Sequence, residues 1–153
     1  MLPNDTLRSL RYLLDISDAE LAAIAQLADA NISTEAIAAY LLNDDEEGFQ
    51  PCSDEVLADV LDGLIVHRRG RDDSRAPQPL ELPLSNNTIL KKLRVAFELK
   101  EEDMHAILDA AEFPLSKPEL SALFRKPGHH NYRPCGDQLL RKFLKGLTLR
   151  QRG

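Results

Sequence analysis

The sequence has little cysteine and no long hydrophobic run. Two cysteines among 153 residues are too few for the disulfide framework of a small secreted domain, so we expect reduced thiols. No segment approaches the roughly 18 apolar residues that a membrane-spanning helix needs, so no membrane partner is expected. The first residues lack the basic region and apolar core of a secretory signal peptide. Together these absences predict a cytoplasmic protein of bacterial type.

Motifs of common enzyme classes are missing as well. The sequence has no glycine-rich phosphate loop and no nucleophile elbow. It also has no pair of acidic residues that helical periodicity would bring to one site. We therefore expect no cofactor, and we favour a protein that acts by binding rather than by catalysis.

The chain does contain a tandem duplication. When the sequence is shifted by 83 positions, residues 4–70 align with residues 87–153 without a gap, and 18 of the 67 pairs are identical. A gapless match of this length indicates two copies of one domain. We assign residues 1–70 to the first copy, 87–153 to the second, and 71–86, which contain three prolines, to an extended linker.

Each copy is predicted to form four short helices, which makes the fold all-α. Asn4 is a good N-cap for the first helix, and capping boxes begin at Ser17 and Ser116. Apolar residues recur at helical spacing, and no stretch alternates as a strand would. Because a domain of about 67 residues buries its own core only marginally, we expect the two copies to pack together.

Cysteine and glycine recur at matching positions of the fourth helix. Cys52 and Cys135 precede its N-cap, where we expect them to pack in a hydrophobic staple, although a thiol near a helix N-terminus can become a nucleophile. Gly63 and Gly146 lie inside the helix, where glycine costs about 1 kcal/mol relative to alanine. Their presence in both copies predicts a close backbone crossing with another helix.

A metal site is a weaker interpretation of the second copy. His129, His130, Cys135 and Asp137 are residue types that bind metals, but they lack the paired spacing of a structural zinc site. The first copy has Glu46 and Glu47 where the second has the two histidines. We therefore predict a solvated loop and no metal.

Charge distinguishes the two copies. Residues 1–70 hold 14 Asp and Glu against 4 Lys and Arg, whereas residues 87–153 hold 8 against 13. We define the basic surface as Arg125, Lys126, His129, His130, Tyr132, Arg133, Arg141, Lys142 and Lys145. Our first hypothesis is that it binds nucleic acid or another polyanion, with His130 and Tyr132 stacking on bases. Against this, any helix has a solvated face, and Tyr132 aligns with Phe49, which favours packing.

Two further hypotheses remain open. Lys142 and Lys145 replace Asp59 and Asp62 of the first copy, so the chain is alternatively a protein-interaction or self-assembly module that uses these opposite charges. Its partner would then be an acidic protein or a second copy of the chain. A third hypothesis is a thiol- or metal-dependent enzyme at Cys135 with His129 or His130.

Three segments of the second copy resemble a known family. They are Asn86-Asn-Thr-Ile-Leu-Lys-Lys-Leu-Arg94, Leu120-Ser-Ala-Leu-Phe-Arg-Lys-Pro-Gly-His129 and Asn131-Tyr-Arg-Pro-Cys-Gly-Asp137, which are similar to the bacterial YehS-like proteins. The resemblance covers essentially the whole chain. It implies a duplicated small helical domain in a cytoplasmic bacterial protein, and it implies no activity, cofactor or catalytic residue.

Overall fold

The computed structural model describes residues 1–72, 74 and 79–153. Among these residues it contains helices and no strand, which confirms the all-α fold predicted from the sequence. The chain forms two compact units, Met1–Leu84 and Ser85–Gly153. Part of the predicted linker, residues 73 and 75–78, lies outside the described residues. Its last residue, Asn86, already belongs to a helix.

Within the described residues, each unit contains four helices. The first unit has α1 (Pro3–Leu14), α2 (Asp18–Gln26), α3 (Thr34–Leu41) and α4 (Asp54–Arg69). The second has α5 (Asn86–Ala96), α6 (Glu101–Ala110), α7 (Lys117–Leu123) and α8 (Asp137–Arg152). None of the helices among the described residues combines the length and the apolar character needed to cross a membrane.

Local capping explains where several helices begin. The Ser17 hydroxyl accepts a hydrogen bond from the backbone N–H of Glu20 at 3.1 Å, and the Glu20 carboxylate accepts one from the N–H of Ser17 at 3.3 Å. Ser116 and Glu119 make the same two bonds at 3.2 and 2.9 Å. Each box satisfies two backbone donors that have no partner within the helix. Both predicted capping boxes are confirmed.

The predicted N-cap at Asn4 is wrong. Helix α1 begins one residue earlier, at Pro3, and Leu2 occupies the cap position. Proline suits the first helical position because it has no N–H that would need a partner and its φ is already helical. The Asp5 carboxylate accepts a hydrogen bond from the N–H of Leu2 at 2.8 Å, so Asn4 is not needed as a cap.

Helix pairs α2–α4 and α6–α8 form the main packing contacts of the two units. An added Cβ on Gly63 would lie 1.9 Å from the carbonyl oxygen of Ile24, and one on Gly146 would lie 2.1 Å from that of Ile107. The close crossing predicted from the paired glycines is therefore confirmed in both units. Around each crossing, apolar side chains such as Leu61 and Leu144 are buried and form the core.

Candidate polyanion-binding surface

An asparagine in each unit holds the segment that leads into the last helix. The Asn87 side chain donates hydrogen bonds to the carbonyl oxygens of Leu123 and Arg133, both at 2.9 Å, and accepts one from the N–H of Cys135 at 2.8 Å. Asn4 makes the corresponding three bonds to Tyr40, Gln50 and Cys52, each at 2.9 Å. In the second unit, these bonds fix both ends of the segment that carries six of the nine residues of the basic surface.

Between those fixed ends, the loop folds on itself through backbone turns. The N–H of His129 donates to the carbonyl oxygen of Lys126 at 3.0 Å, and the N–H of Tyr132 donates to that of His129 at 2.9 Å. The His129 and His130 rings stack with centroids 4.5 Å apart and an interplanar angle of 19°. The loop therefore presents two stacked, exposed imidazole rings next to the exposed side chains of Arg125 and Lys126.

Helix α8 carries the other three residues of the basic surface, Arg141, Lys142 and Lys145. Its buried side is formed by Leu139, Leu140, Phe143, Leu144, Gly146 and Leu147. Arg141 and Lys145 are exposed, and their spacing of four residues places them on the same side of the helix. Lys142 is half-buried because it lies at the border between the solvent side and the core side.

The cations of this surface differ in how they are neutralised. A guanidinium nitrogen of Arg133 lies 3.2 Å from the Glu119 carboxylate. A backbone hydrogen bond from Ser116, with Arg133 contributing less, lowers the pKa of Glu119. By contrast, Arg125, Lys126, Lys142 and Lys145 have no ion pair with any residue that the structure describes. These four charges remain available to a ligand.

Tyr132 differs in character from the rest of the basic surface. It is half-buried, as is Phe49 at the matching position of the first unit. A side chain that keeps the same burial in both units contributes first to packing of the loop against its own unit. Of the two rings proposed to stack on bases, His130 is the exposed one.

The cysteines are thiols in buried environments. Cys52 and Cys135 are 5% and 6% exposed. Burial, together with the charge of Asp54, raises the pKa of Cys52 to about 12. Burial raises the pKa of Cys135 to about 11. Because the thiolate is the nucleophile, these raised pKa values favour the packing role expected at the start of the fourth helix.

The structure does not gather the metal-binding residue types of this region into a site. Among the described residues, no group of three or more His, Cys, Asp or Glu side chains is arranged to hold a metal ion. His129 and His130 stack on each other, and the Nδ1 atom of His129 accepts a hydrogen bond from the N–H of Asn131 at 3.0 Å. That nitrogen is therefore already occupied.

One cation of the second unit was missed by the sequence analysis. Lys91 of α5 is exposed and has no ion pair with a described residue. Its counterpart in the first unit, Arg8, donates to the carbonyl oxygen of Leu42 at 2.6 Å and pairs with Asp5 at 2.6 Å. Leu42 corresponds to Arg125, so we infer from the contact of Arg8 that Lys91 lies near the start of the basic loop.

The signal for Lys91 was present in the aligned copies. Arg8 also lies 3.7 Å from Asp44, but the positions that match Asp5 and Asp44 hold Thr88 and Pro127. A conservative exchange of Arg for Lys was therefore accompanied by loss of both acidic partners. Comparing the neighbours of each aligned cation would have identified Lys91.

Comparisons with known proteins assign the chain to a family. A family model described as "Protein of unknown function (DUF1456)" matches residues 3–70 and again residues 86–153. "Uncharacterized protein YehS" of Escherichia coli (strain K12) is 48% identical over 151 residues, covering 99% of this chain and 97% of that protein. This match confirms the resemblance to YehS-like proteins, whereas no solved structure matches. The chain belongs to the DUF1456 family and contains two copies of its domain.

Proposed function

We propose that this protein binds nucleic acid or another polyanion through the basic surface of its second unit. The observation that carries the proposal is a set of cations on the loop and on α8 that form no ion pair with a described residue, namely Arg125, Lys126, Lys142 and Lys145. A cation that has no acidic partner within the protein keeps its full charge for phosphate. The two buried free cysteines are compatible with the reducing cytoplasm, where we place the protein.

Phosphate contacts of this kind make binding depend on salt. Each neutralised phosphate releases condensed counterions, so the logarithm of the binding constant falls with the logarithm of salt concentration. The slope is about −0.9 per phosphate contact for duplex DNA and about −0.7 for single strands. If all four unpaired cations contact phosphate, the slope is roughly −3 to −4.

The stacked histidines bear on the kind of polyanion. Exposed rings next to cations are a feature of proteins that bind single strands, because every base has a face on which a ring can stack. His129 and His130 provide such rings, whereas the corresponding residues of the first unit are Glu46 and Glu47. Single-stranded RNA and DNA are therefore preferred over duplex DNA and over inorganic polyphosphate.

The proposal is tested by titrating labelled single-stranded RNA, single-stranded DNA, duplex DNA and polyphosphate at low and moderate salt. Arg125→Ala/Lys126→Ala should weaken binding of every bound polyanion and make its salt slope shallower by roughly 1.4–1.8. The control, Arg68→Ala/Arg69→Ala, removes the same charge from exposed positions of the first unit and should have a smaller effect. Absence of binding to all four polyanions at low salt would overturn the proposal.

A further inference from the structure

Three consecutive residues of the basic loop differ in chemistry from their counterparts in the first unit. We define the ring–amide cluster as His129, His130 and Asn131, all of which are exposed. Residues 46–48, at the matching positions of the first unit, are two glutamates and a glycine. The second unit therefore presents two imidazole rings and a carboxamide where the first presents two carboxylates.

The backbone of the loop does not depend on these side chains. The N–H of His129 donates to the carbonyl oxygen of Lys126, and the N–H of Tyr132 donates to that of His129. The N–H groups of Glu46 and Phe49 make the corresponding two bonds at 3.0 and 3.2 Å. Because these bonds form in the first unit without a ring or an amide side chain, folding of the loop alone does not explain the ring–amide cluster.

One hydrogen bond positions the amide beside the rings. The N–H of Asn131 donates to Nδ1 of His129 at 3.0 Å, and the His129 ring stacks on that of His130 with centroids 4.5 Å apart. The backbone of Asn131 therefore lies at the edge of the ring pair. Its carboxamide has no hydrogen-bond partner among the residues that the structure describes, so its donors and its acceptor are available to a ligand.

A ring pair with a free amide at its edge suits a nucleobase. Single-stranded bases are recognised by stacking on aromatic rings, including those of histidine, and by hydrogen bonds to the edges of the base. A base that stacks on the histidine pair lies parallel to the rings, so its edge is open to a side chain beside the stack. Arg125 and Lys126 lie on the same loop and supply charge for phosphate contacts on either side of that base.

We propose that the ring–amide cluster binds an adenine base of a single-stranded nucleic acid, stacked on the histidine pair and hydrogen-bonded to the carboxamide of Asn131. An amide offers a donor and an acceptor side by side, and adenine has the matching N7 acceptor and N6 donor on one edge. On the same edge guanine has two acceptors, cytosine a donor and thymine an acceptor. Base selectivity of this kind rests on the proposed polyanion binding and adds to it.

The test compares four short labelled single-stranded DNA oligomers, each made of one base. Three contain adenine, thymine or cytosine, and the fourth contains 7-deazaadenine, in which a C–H group replaces N7 but the stacking surface is kept. The full chain should bind the adenine oligomer roughly fivefold more tightly than each of the others, which corresponds to about 1 kcal/mol.

Three substitutions assign the effect to particular residues. Asn131→Ala should abolish the preference for adenine and leave the salt slope unchanged, because no phosphate contact is lost. Lys126→Ala should weaken binding of all four oligomers and make the slope shallower by about 0.7, with the preference for adenine intact. His130→Ala should also weaken binding of all four, whereas His130→Phe keeps a ring and should recover most of the binding.

Asn31→Ala is the matched control, since it removes an exposed asparagine from the first unit and should leave the preference unchanged. Polyanion binding would stand and adenine recognition would fall if all four oligomers bound equally, if 7-deazaadenine bound as well as adenine, or if Asn131→Ala kept the preference. If no oligomer binds at low salt, adenine recognition fails, and titration of duplex DNA and polyphosphate decides whether polyanion binding stands. Circular dichroism of each variant checks that it folds.

Discussion

Gly146 of α8 lies so close to α6 that an added Cβ would stand 2.1 Å from the carbonyl oxygen of Ile107. Gly63 and Ile24 repeat this relationship at 1.9 Å in the first unit. Both the glycine and the isoleucine are identical at the aligned positions of the two copies. In both units the nearest atom is a backbone carbonyl oxygen of the facing helix rather than the end of a flexible side chain. The helices can separate only by opening the core on both sides of the crossing.

We therefore predict that Gly146→Ala destabilises the second unit by about 1–3 kcal/mol. Alanine favours helix by about 1 kcal/mol over glycine, so a net loss of stability would mean that the clash outweighs propensity. Urea unfolding followed by circular dichroism gives the change in unfolding free energy.

The same substitution at Gly63 should produce a loss of similar size in the first unit. The exposed position Gln138, near the start of α8, provides the control, since Gln138→Ala should change stability little. A Gly146→Ala protein as stable as the wild type would show that α6 and α8 can move apart freely, contrary to the packing described above.

Much of the fold was predictable because its signals are either local in the sequence or repeated between the two copies. The capping boxes at Ser17 and Ser116 depend on residues only three positions apart, so their pattern is visible in the sequence. The helix crossing at Gly63 and Gly146 was predictable because glycine inside a helix is unfavourable unless packing requires it. Both signals depend on short-range or repeated features.

The misassigned residues depend on contacts between distant parts of the chain. Asn4 has the composition of an N-cap, but its side chain bonds to residues 36 to 48 positions away. Lys91 was overlooked for the same reason, since its significance comes from acidic partners that its counterpart Arg8 has and it lacks. No local sequence pattern indicates such contacts. Once the structure of one copy is known, however, the alignment shows which partner residues the other copy has kept or lost.

Asn4→Ala should destabilise the first unit by roughly 2–3 kcal/mol. The substitution leaves the buried N–H of Cys52 and two carbonyl oxygens without their partner, and an unsatisfied buried group costs about 1–3 kcal/mol. Asn87→Ala should cost less, because Asn87 is half-buried and water can replace part of its bonding, whereas Asn4 is fully buried. Urea unfolding of both variants measures which of them loses more stability. A larger loss for Asn87→Ala than for Asn4→Ala, or a loss for Asn4→Ala no greater than that of the exposed Asn31→Ala, would contradict the prediction.

The two cysteines should make stability fall at alkaline pH. Their pKa values are raised from 9.0 to about 12 for Cys52 and about 11 for Cys135. Well below the reference pKa of 9.0, both thiols are protonated in the folded and unfolded states, so they contribute no pH dependence. Above pH 9 the unfolded thiols ionise first, and the unfolding free energy falls by roughly 1 kcal/mol per pH unit for each cysteine.

This dependence is measured by urea unfolding between pH 8 and pH 10.5, a range that includes the ordinary thiol pKa of 9.0 and lies below the raised values. Cys52→Ala/Cys135→Ala should be less stable at pH 8, because it removes buried groups, but its stability should fall less steeply with rising pH. Parallel curves for the variant and the wild type would show that the thiols ionise equally in both states, against the raised pKa values.

Glu112→Gly should stabilise the second unit by about 1 kcal/mol. Glu112 follows α6 with a φ of 59°, in the left-handed region where a residue with a Cβ is strained by roughly 1–2 kcal/mol. Glu112→Ala removes the same charge but keeps the Cβ, so it should gain much less. Thermal and urea unfolding of the two variants separate the backbone effect from the charge effect, and equal stability of the two would rule out strain at this position.

Lys91→Ala should weaken polyanion binding although Lys91 lies outside the loop and outside α8. Its position beside the start of the basic loop allows it to contact the same phosphates as Arg125, so the salt slope should become shallower by about 0.7–0.9. Lys100→Ala removes one exposed cation from the N-terminus of α6 and serves as the control, with little change expected in the slope. Titration of the preferred polyanion at several salt concentrations measures both slopes. Equal effects of the two substitutions would mean that net charge alone governs binding, and that Lys91 adds nothing specific to the basic surface.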